Sequence, residues 1–154
     1  MDELEQKAYI FGTIFTLSNK LQVLGDEFDK NITIKQWLFM VVVSKFPEPP
    51  TITEVANFIG YSRQNAKRIA ANLHQSGFVK LEKDKNDARA LRVELTPKCI
   101  EYFEKRYPSE IAYLEKIFCG FDADLTRNVC TGLAKLEQNV KALMVAQEID
   151  GETI

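Results

Sequence analysis

The chain has 154 residues, 45% of them hydrophobic and 27% charged, with a net charge of −2, which is the balance of a soluble globular protein and excludes global disorder. Its longest apolar run, residues 37–43, is seven residues long, against the roughly 18–20 that a membrane-spanning helix needs. Three unevenly spaced cysteines (Cys99, Cys119, Cys130) and a single histidine, His74, exclude a disulfide framework and make a poor metal site.

The first residues, Met-Asp-Glu-Leu-Glu, are acidic where a signal peptide would be basic, so a cytoplasmic location and no membrane partner are expected. The charge is unevenly spread. Residues 61–92 carry eight Lys or Arg against three acids, a surplus of five positive charges, which leaves −7 on the remainder. A basic third in an acidic protein is a candidate footprint for phosphate.

Residues 2–24 predict a helix. Leu4, Ala8, Phe11, Phe15, Ser18 and Leu21 recur at three- and four-residue steps, Ile10, Ile14 and Leu17 widen the stripe, and Gly25 is the expected stop. So broad an apolar face needs a partner surface, in the same chain or in a second copy. Residues 33–46 are apolar almost all round. Three consecutive valines favour a strand, whereas the length and Thr33 as N-cap favour a helix, and both readings stand. Pro47, Pro49 and Pro50 end the element in either case.

Two short helices follow. The first, over 52–59, has Thr51 and Glu54 at capping-box spacing, and Gly60 supplies a turn. The second starts after the N-cap Ser62 and reaches about Gln75, with Ala66, Ile69, Ala70 and Leu73 inward and Arg63, Gln64, Lys67, Arg68 and Ala71 outward. His74 is expected as a dipole partner at its C-terminus, which Gly77 ends. Alternation over 79–82 and 91–95 predicts two strands joined by a long charged tip, 83–89. Thr96-Pro97 opens a further helix, in which Pro108 predicts a kink or break near Tyr107. Gly120 breaks the chain, and Asp122 caps a last helix over about 123–147. There Leu125, Val129, Leu133, Leu136, Val140 and Leu143 form a near-heptad seam. The tail from Glu148 is expected to fray.

A helix, a tight turn, a second helix with a polar outer face and a basic hairpin describe a winged helix-turn-helix that binds double-stranded DNA. The expected fold is mainly α with a small β-hairpin wing (α+β), the winged domain over 31–97 flanked by dimerisation helices at 1–30 and 98–154. The candidate DNA-binding residues are Ser62, Arg63, Gln64, Asn65, Lys67, Arg68, Lys85 and Arg89. The amides of Gln64 and Asn65 can donate to and accept from base edges, while Arg63 and Arg68 can bond guanine or phosphate. Lys67 and Ser62 suit phosphate. Arg89 at the wing can enter a narrow minor groove. Asp87, repelled by phosphate, is expected to orient Arg89 or a recognition-helix cation. No nucleophile elbow, phosphate loop, His-Glu-x-x-His or ligand cluster is present, so no enzyme activity and no cofactor are expected.

These residues resemble the MarR family of regulators. Gln36-Trp37-Leu38, Thr51-x-x-Glu54-Val55-Ala56 with Ile59-Gly60, and Ser62 through Leu73 are each similar to family helices. The fairly specific element is 87–97, whose Asp87-x-Arg89-x-x-x-Val93-x-Leu95-Thr96 matches the family's wing pattern. The similarity runs over about 4–147. It implies an obligate homodimer on a pseudopalindromic operator, usually a repressor, released by a small-molecule effector, with Asp87 bracing the wing and Arg89 entering the minor groove. Phe11, Phe15 and Trp37 are candidates for an effector cleft, with core packing the preferred role of each. Arg63 stands where the family often has Pro, and Pro108 is unusual in its helix. The cysteine that thiol sensors carry in the first helix is missing, so the three thiols are expected to be small buried apolar residues. Two alternatives are a protein–protein interaction module without DNA binding and a thiol-based redox-sensing regulator.

Overall fold

A computed structural model describes residues 1–151, with side chains through residue 147. Within them are six helices and one two-stranded antiparallel sheet, the mainly α architecture with a hairpin that the sequence predicts. The chain divides into two compact units, Met1–Lys105 and Arg106–Ile154.

In the first unit, α1 (Glu3–Phe28) starts at a capping box between Asp2 and Glu5. It does not stop at Gly25, as the local rule predicts, but runs a turn further. Gly25 is buried against α2 (Ile34–Val43), where a Cβ would lie 2.7 Å from Ile34 Cδ1. The glycine is there for a close approach of two helices, not for a turn. The α1–α2 joint is also tied by Asp26, whose Oδ1 accepts the Ile34 N–H at 2.7 Å. Tyr102, further along the chain, donates its hydroxyl to Asp29. The apolar stripe of α1 is uncovered: Leu4, Phe11, Phe15 and Leu21 are exposed. Phe11 and Phe15 stack edge to face with centroids 5.1 Å apart, so neither has the core role preferred for it, while Trp37 does pack against the core.

Residues 34–43 form a helix, which resolves the open choice. Thr33 and Gln36 make a reciprocal capping box. Phe39, Met40, Val42 and Val43 are buried, and this burial outweighs the strand preference of three valines. α3 (Ile52–Ile59) and α4 (Arg63–Gln75) complete the core with Val55, Ala56, Ala66, Ile69, Ala70 and Leu73. β1 (Val79–Lys83) pairs with β2 (Leu91–Leu95) in the register Val79↔Leu95, Leu81↔Val93 and Lys83↔Leu91. The segment entering α3 lies along β2: Val93 N–H donates to the Pro50 carbonyl at 2.8 Å, and Thr51 bridges to Arg92.

α5 (Pro97–Ile117) is helical through Pro108, so of the expected kink or break near Tyr107 the break does not occur. Proline removes one N–H and leaves the carbonyl of Glu104 without its usual donor. Glu104 is exposed, and water can satisfy that carbonyl. In the second unit, Asp122 Oδ1 accepts the Leu125 N–H at 2.8 Å and starts α6 (Ala123–Gly151). α6 extends beyond the expected end at about 147, and the last three residues of the expected frayed tail lie outside the described residues. Leu125, Val129, Leu133, Val140 and Leu143 of the seam are exposed. Of the three thiols, Cys99 meets the expectation of burial and the other two do not. Cys99 is buried, its Sγ 3.5 Å from Met40 Sδ, whereas Cys119 and Cys130 are exposed.

Candidate nucleic-acid interface

Two surfaces of the first unit carry the predicted site, and each has a local cause. α3 ends because Gly60 takes φ +85°, with its N–H on the Ala56 carbonyl. That left-handed residue costs an L side chain energy but glycine little. Ser62 Oγ then accepts the Asn65 N–H at 3.2 Å and starts α4. Because Ala66, Ile69, Ala70 and Leu73 are buried, the opposite face of α4 is fixed outward: Ser62, Arg63, Gln64, Lys67 and Arg68 are exposed and Asn65 is half-buried. Arg68 Nη2 donates to Asn65 Oδ1 at 3.1 Å. The far end of α4 is held by Lys98, whose Nζ donates to the Ser76 carbonyl at 2.7 Å, and by Thr96, whose hydroxyl donates to the Gly77 carbonyl at 2.6 Å. His74 sits in the last turn, as expected. Beyond any dipole effect, its Nδ1 lies 3.1 Å from the Val79 carbonyl, tying α4 to β1.

The wing tip, 84–90, is held by local hydrogen bonds. Asp84 N–H donates to the Ala90 carbonyl and Ala90 N–H to the Asp87 carbonyl, both at 2.9 Å. Asp87 Oδ1 accepts the Arg89 N–H at 3.0 Å and lies 3.6 Å from Arg89 Nε. The predicted Asp87–Arg89 pair is therefore present, with the Arg89 side chain 96% exposed. Lys85 is exposed on the same tip.

A second pair was assigned no role by sequence reasoning. Asp84, its side chain only 9% exposed, accepts from the N–H groups of Asn86 and Asp87 through Oδ2 and from Arg92 Nε through Oδ1. Arg92 Nη1 donates onward to the Pro49 carbonyl at 2.7 Å. The bond from Arg92, followed by those from the Asn86 and Asp87 amides, holds the Asp84 carboxyl below the usual aspartate range. The only sequence signal was that Asp84 and Arg92 stand near the two strand ends of one hairpin. The Pro49 contact is too remote in sequence to read.

Among the described residues no group of His, Cys, Asp and Glu could hold a metal ion. No described helix is long and apolar enough to cross a membrane.

A helix, a glycine turn, a second helix with its polar face outward and a charged hairpin bonded back to the first helix define a winged helix-turn-helix protein. Comparison with known proteins narrows this. The sequence profile of the MarR family matches residues 30–90. The transcriptional repressor MprA of Escherichia coli K12 is 28% identical over 116 residues, which span 69% of this chain and 66% of the repressor. Among solved structures, a MarR protein from Peptoclostridium difficile aligns with a TM-score of 0.77 at 23% identity, over 86% of this chain and 88% of that one. FabT of Streptococcus pneumoniae, solved in complex with DNA, aligns at 0.65 and 20% identity, over 89% and 99%. Over residues 30–90 the chain is therefore similar in sequence to the MarR family, and its fold is that of the MarR structures.

Proposed function

We propose that this protein is a transcriptional regulator that binds pseudopalindromic double-stranded DNA as a homodimer and acts as a repressor released by a small-molecule effector. The observation that carries the reading is that every residue expected to touch DNA lies on one of two polar surfaces, the outer face of α4 or the wing tip. α4 is the reader of the major groove. Arg63, Lys67 and Arg68 supply charge to phosphate or guanine, Ser62 a hydroxyl, and Gln64 an amide. Because Arg68 can only donate, Asn65 turns its oxygen toward it, and the outward side of that amide offers N–H donors. Such a pair suits base-edge acceptors, guanine O6 and N7 above all. Lys85 and Arg89 approach the backbone and the minor groove. The repressor MprA and the DNA complex of FabT support DNA as the partner.

A homodimer is the economical explanation for two uncovered apolar faces, the stripe of α1 and the seam of α6. Its recognition helices would have to stand about 34–36 Å apart to reach successive major grooves. An effector that binds better to a dimer with another spacing weakens DNA binding by its differential affinity. Selection of bound sequences from random duplex DNA at two salt concentrations tests the reading. The expected product is a two-fold symmetric motif with half-sites about 10 bp apart. No bound sequence at low salt would overturn it in favour of a protein–protein module.

A further inference from the structure

We infer that Asp84 and Arg92 are the positioning residues of the wing, and that Arg89 acts on DNA only while their pair is made. The inference rests on the DNA-binding reading above and assigns the bracing role to a pair other than Asp87–Arg89. Asp87 and Arg89 both lie on the tip, so a bond between them shapes the tip but cannot fix where the tip stands. Asp84 and Arg92 do fix it. The Asp84 carboxylate gathers the N–H groups of Asn86 and Asp87 at 3.1 and 3.0 Å and takes Arg92 Nε on its other oxygen. Arg92 uses the other arm of its fork on the Pro49 carbonyl, and its own backbone bridges to Thr51. Thr51 is the N-cap of α3. A continuous line of bonds therefore runs from the wing tip to the first helix of the helix-turn-helix, through a planar guanidinium that bonds in two directions at once. A lysine ammonium, a compact charge on a flexible stem, cannot reproduce that fork. Asparagine at 84 would keep the shape but turn an NH2 toward donors. Arg89, 96% exposed, has no such anchor of its own. Its reach toward a groove is set by the loop that Asp84 holds.

The test is a set of double-mutant cycles on the duplex recovered by selection, with thermal unfolding run in parallel. Arg89→Ala, Asp84→Asn and Arg92→Lys should each weaken binding by a similar factor, about tenfold to a hundredfold. Asp84→Asn combined with Arg89→Ala should be no weaker than either alone, because both remove the same action. Gln64→Ala, on the other surface, should multiply with each of them. A purely structural role would make Asp84→Asn and Arg89→Ala multiply, and that result, or full binding by Asp84→Asn, overturns the inference. Amide hydrogen exchange gives a readout that needs no DNA. In Asp84→Asn the Asn86 and Asp87 amides should lose protection, and unchanged protection would also overturn the brace. Failure of the wild-type chain to bind any duplex sinks the DNA reading instead, and is distinguishable because the exchange result stands apart from it.

Discussion

Replacing Arg89 by alanine should make DNA binding less sensitive to salt. The chain presents five exposed cations on the two surfaces: Arg63, Lys67 and Arg68 on α4, and Lys85 and Arg89 on the tip. If each neutralises one phosphate, a dimer neutralises about ten, and counterion release sets the slope of log K against log salt near −9. Affinity then falls by roughly 10⁵ between 50 and 200 mM salt. Removing Arg89 from both copies of such a dimer would take the slope to about −7 and the fall to roughly 10⁴ over the same range. Fluorescence anisotropy of a labelled duplex, titrated at five salt concentrations, measures both. Gln64→Ala serves as the control, since a neutral amide shifts affinity at every salt concentration but leaves the slope alone. A wild-type slope near zero, or a slope that Arg89→Ala does not change, would refute the assignment of these cations to phosphate.

Three further outcomes are expected. Gly25→Ala should lower or at best hold the urea midpoint, although alanine in a helix interior usually adds about 1 kcal/mol. The new Cβ would lie 2.7 Å from Ile34 Cδ1 and 2.9 Å from Ile34 Cβ, and overpacking of this kind costs about 1–3 kcal/mol. A raised midpoint would mean that Ile34 moves aside. Burial pushes the Cys99 thiol up to about 11, so at pH 8 about one molecule in a thousand is thiolate there. Iodoacetamide on the native protein, followed by mass spectrometry, should modify exposed Cys119 and Cys130 well before Cys99, and early labelling of Cys99 would contradict its burial. Because the Asp84 carboxyl is held below its ordinary value of 3.8, its contribution to the wing is complete above that pH and is lost as pH falls through the depressed value. The Asn86 and Asp87 amide signals should therefore hold to pH 4 and change below it, and Asp84→Asn should abolish the step. A step of the same size in that variant would place the titration elsewhere.

The polar face of α4 was legible because its causes are short-range. Ser62 caps α4 through the Asn65 N–H three residues on, Thr51 and Glu54 close on each other three residues apart, and Ala66, Ile69, Ala70 and Leu73 dictate by helical spacing which side chains face out. Alternation alone placed both strands of the wing, and Asp87 is within bonding distance of Arg89 because two residues of tight loop leave it little choice.

What local rules misjudged depends on partners far along the chain. Residues 34–43 are apolar all round, so only burial against the neighbouring helices separates helix from strand. Gly25 reads as a stop until Ile34 is placed against it. Pro108 reads as a kink or break, yet its helix continues, and the residue whose carbonyl loses its donor, Glu104, is exposed. Phe11, Phe15, Cys119 and Cys130 are residue types that composition sends to a core, and they stand exposed because a chain this size has more apolar surface than one small winged domain can cover. Arg92 finds the Pro49 carbonyl across 43 residues. The sequence by itself determined the elements other than residues 34–43, their order and the outward face of α4, since propensity, capping and periodicity act within one turn or one hairpin. Tertiary structure alone decided how the wing is anchored and which apolar residues are left uncovered, because those outcomes depend on contacts that exist only after distant segments have packed.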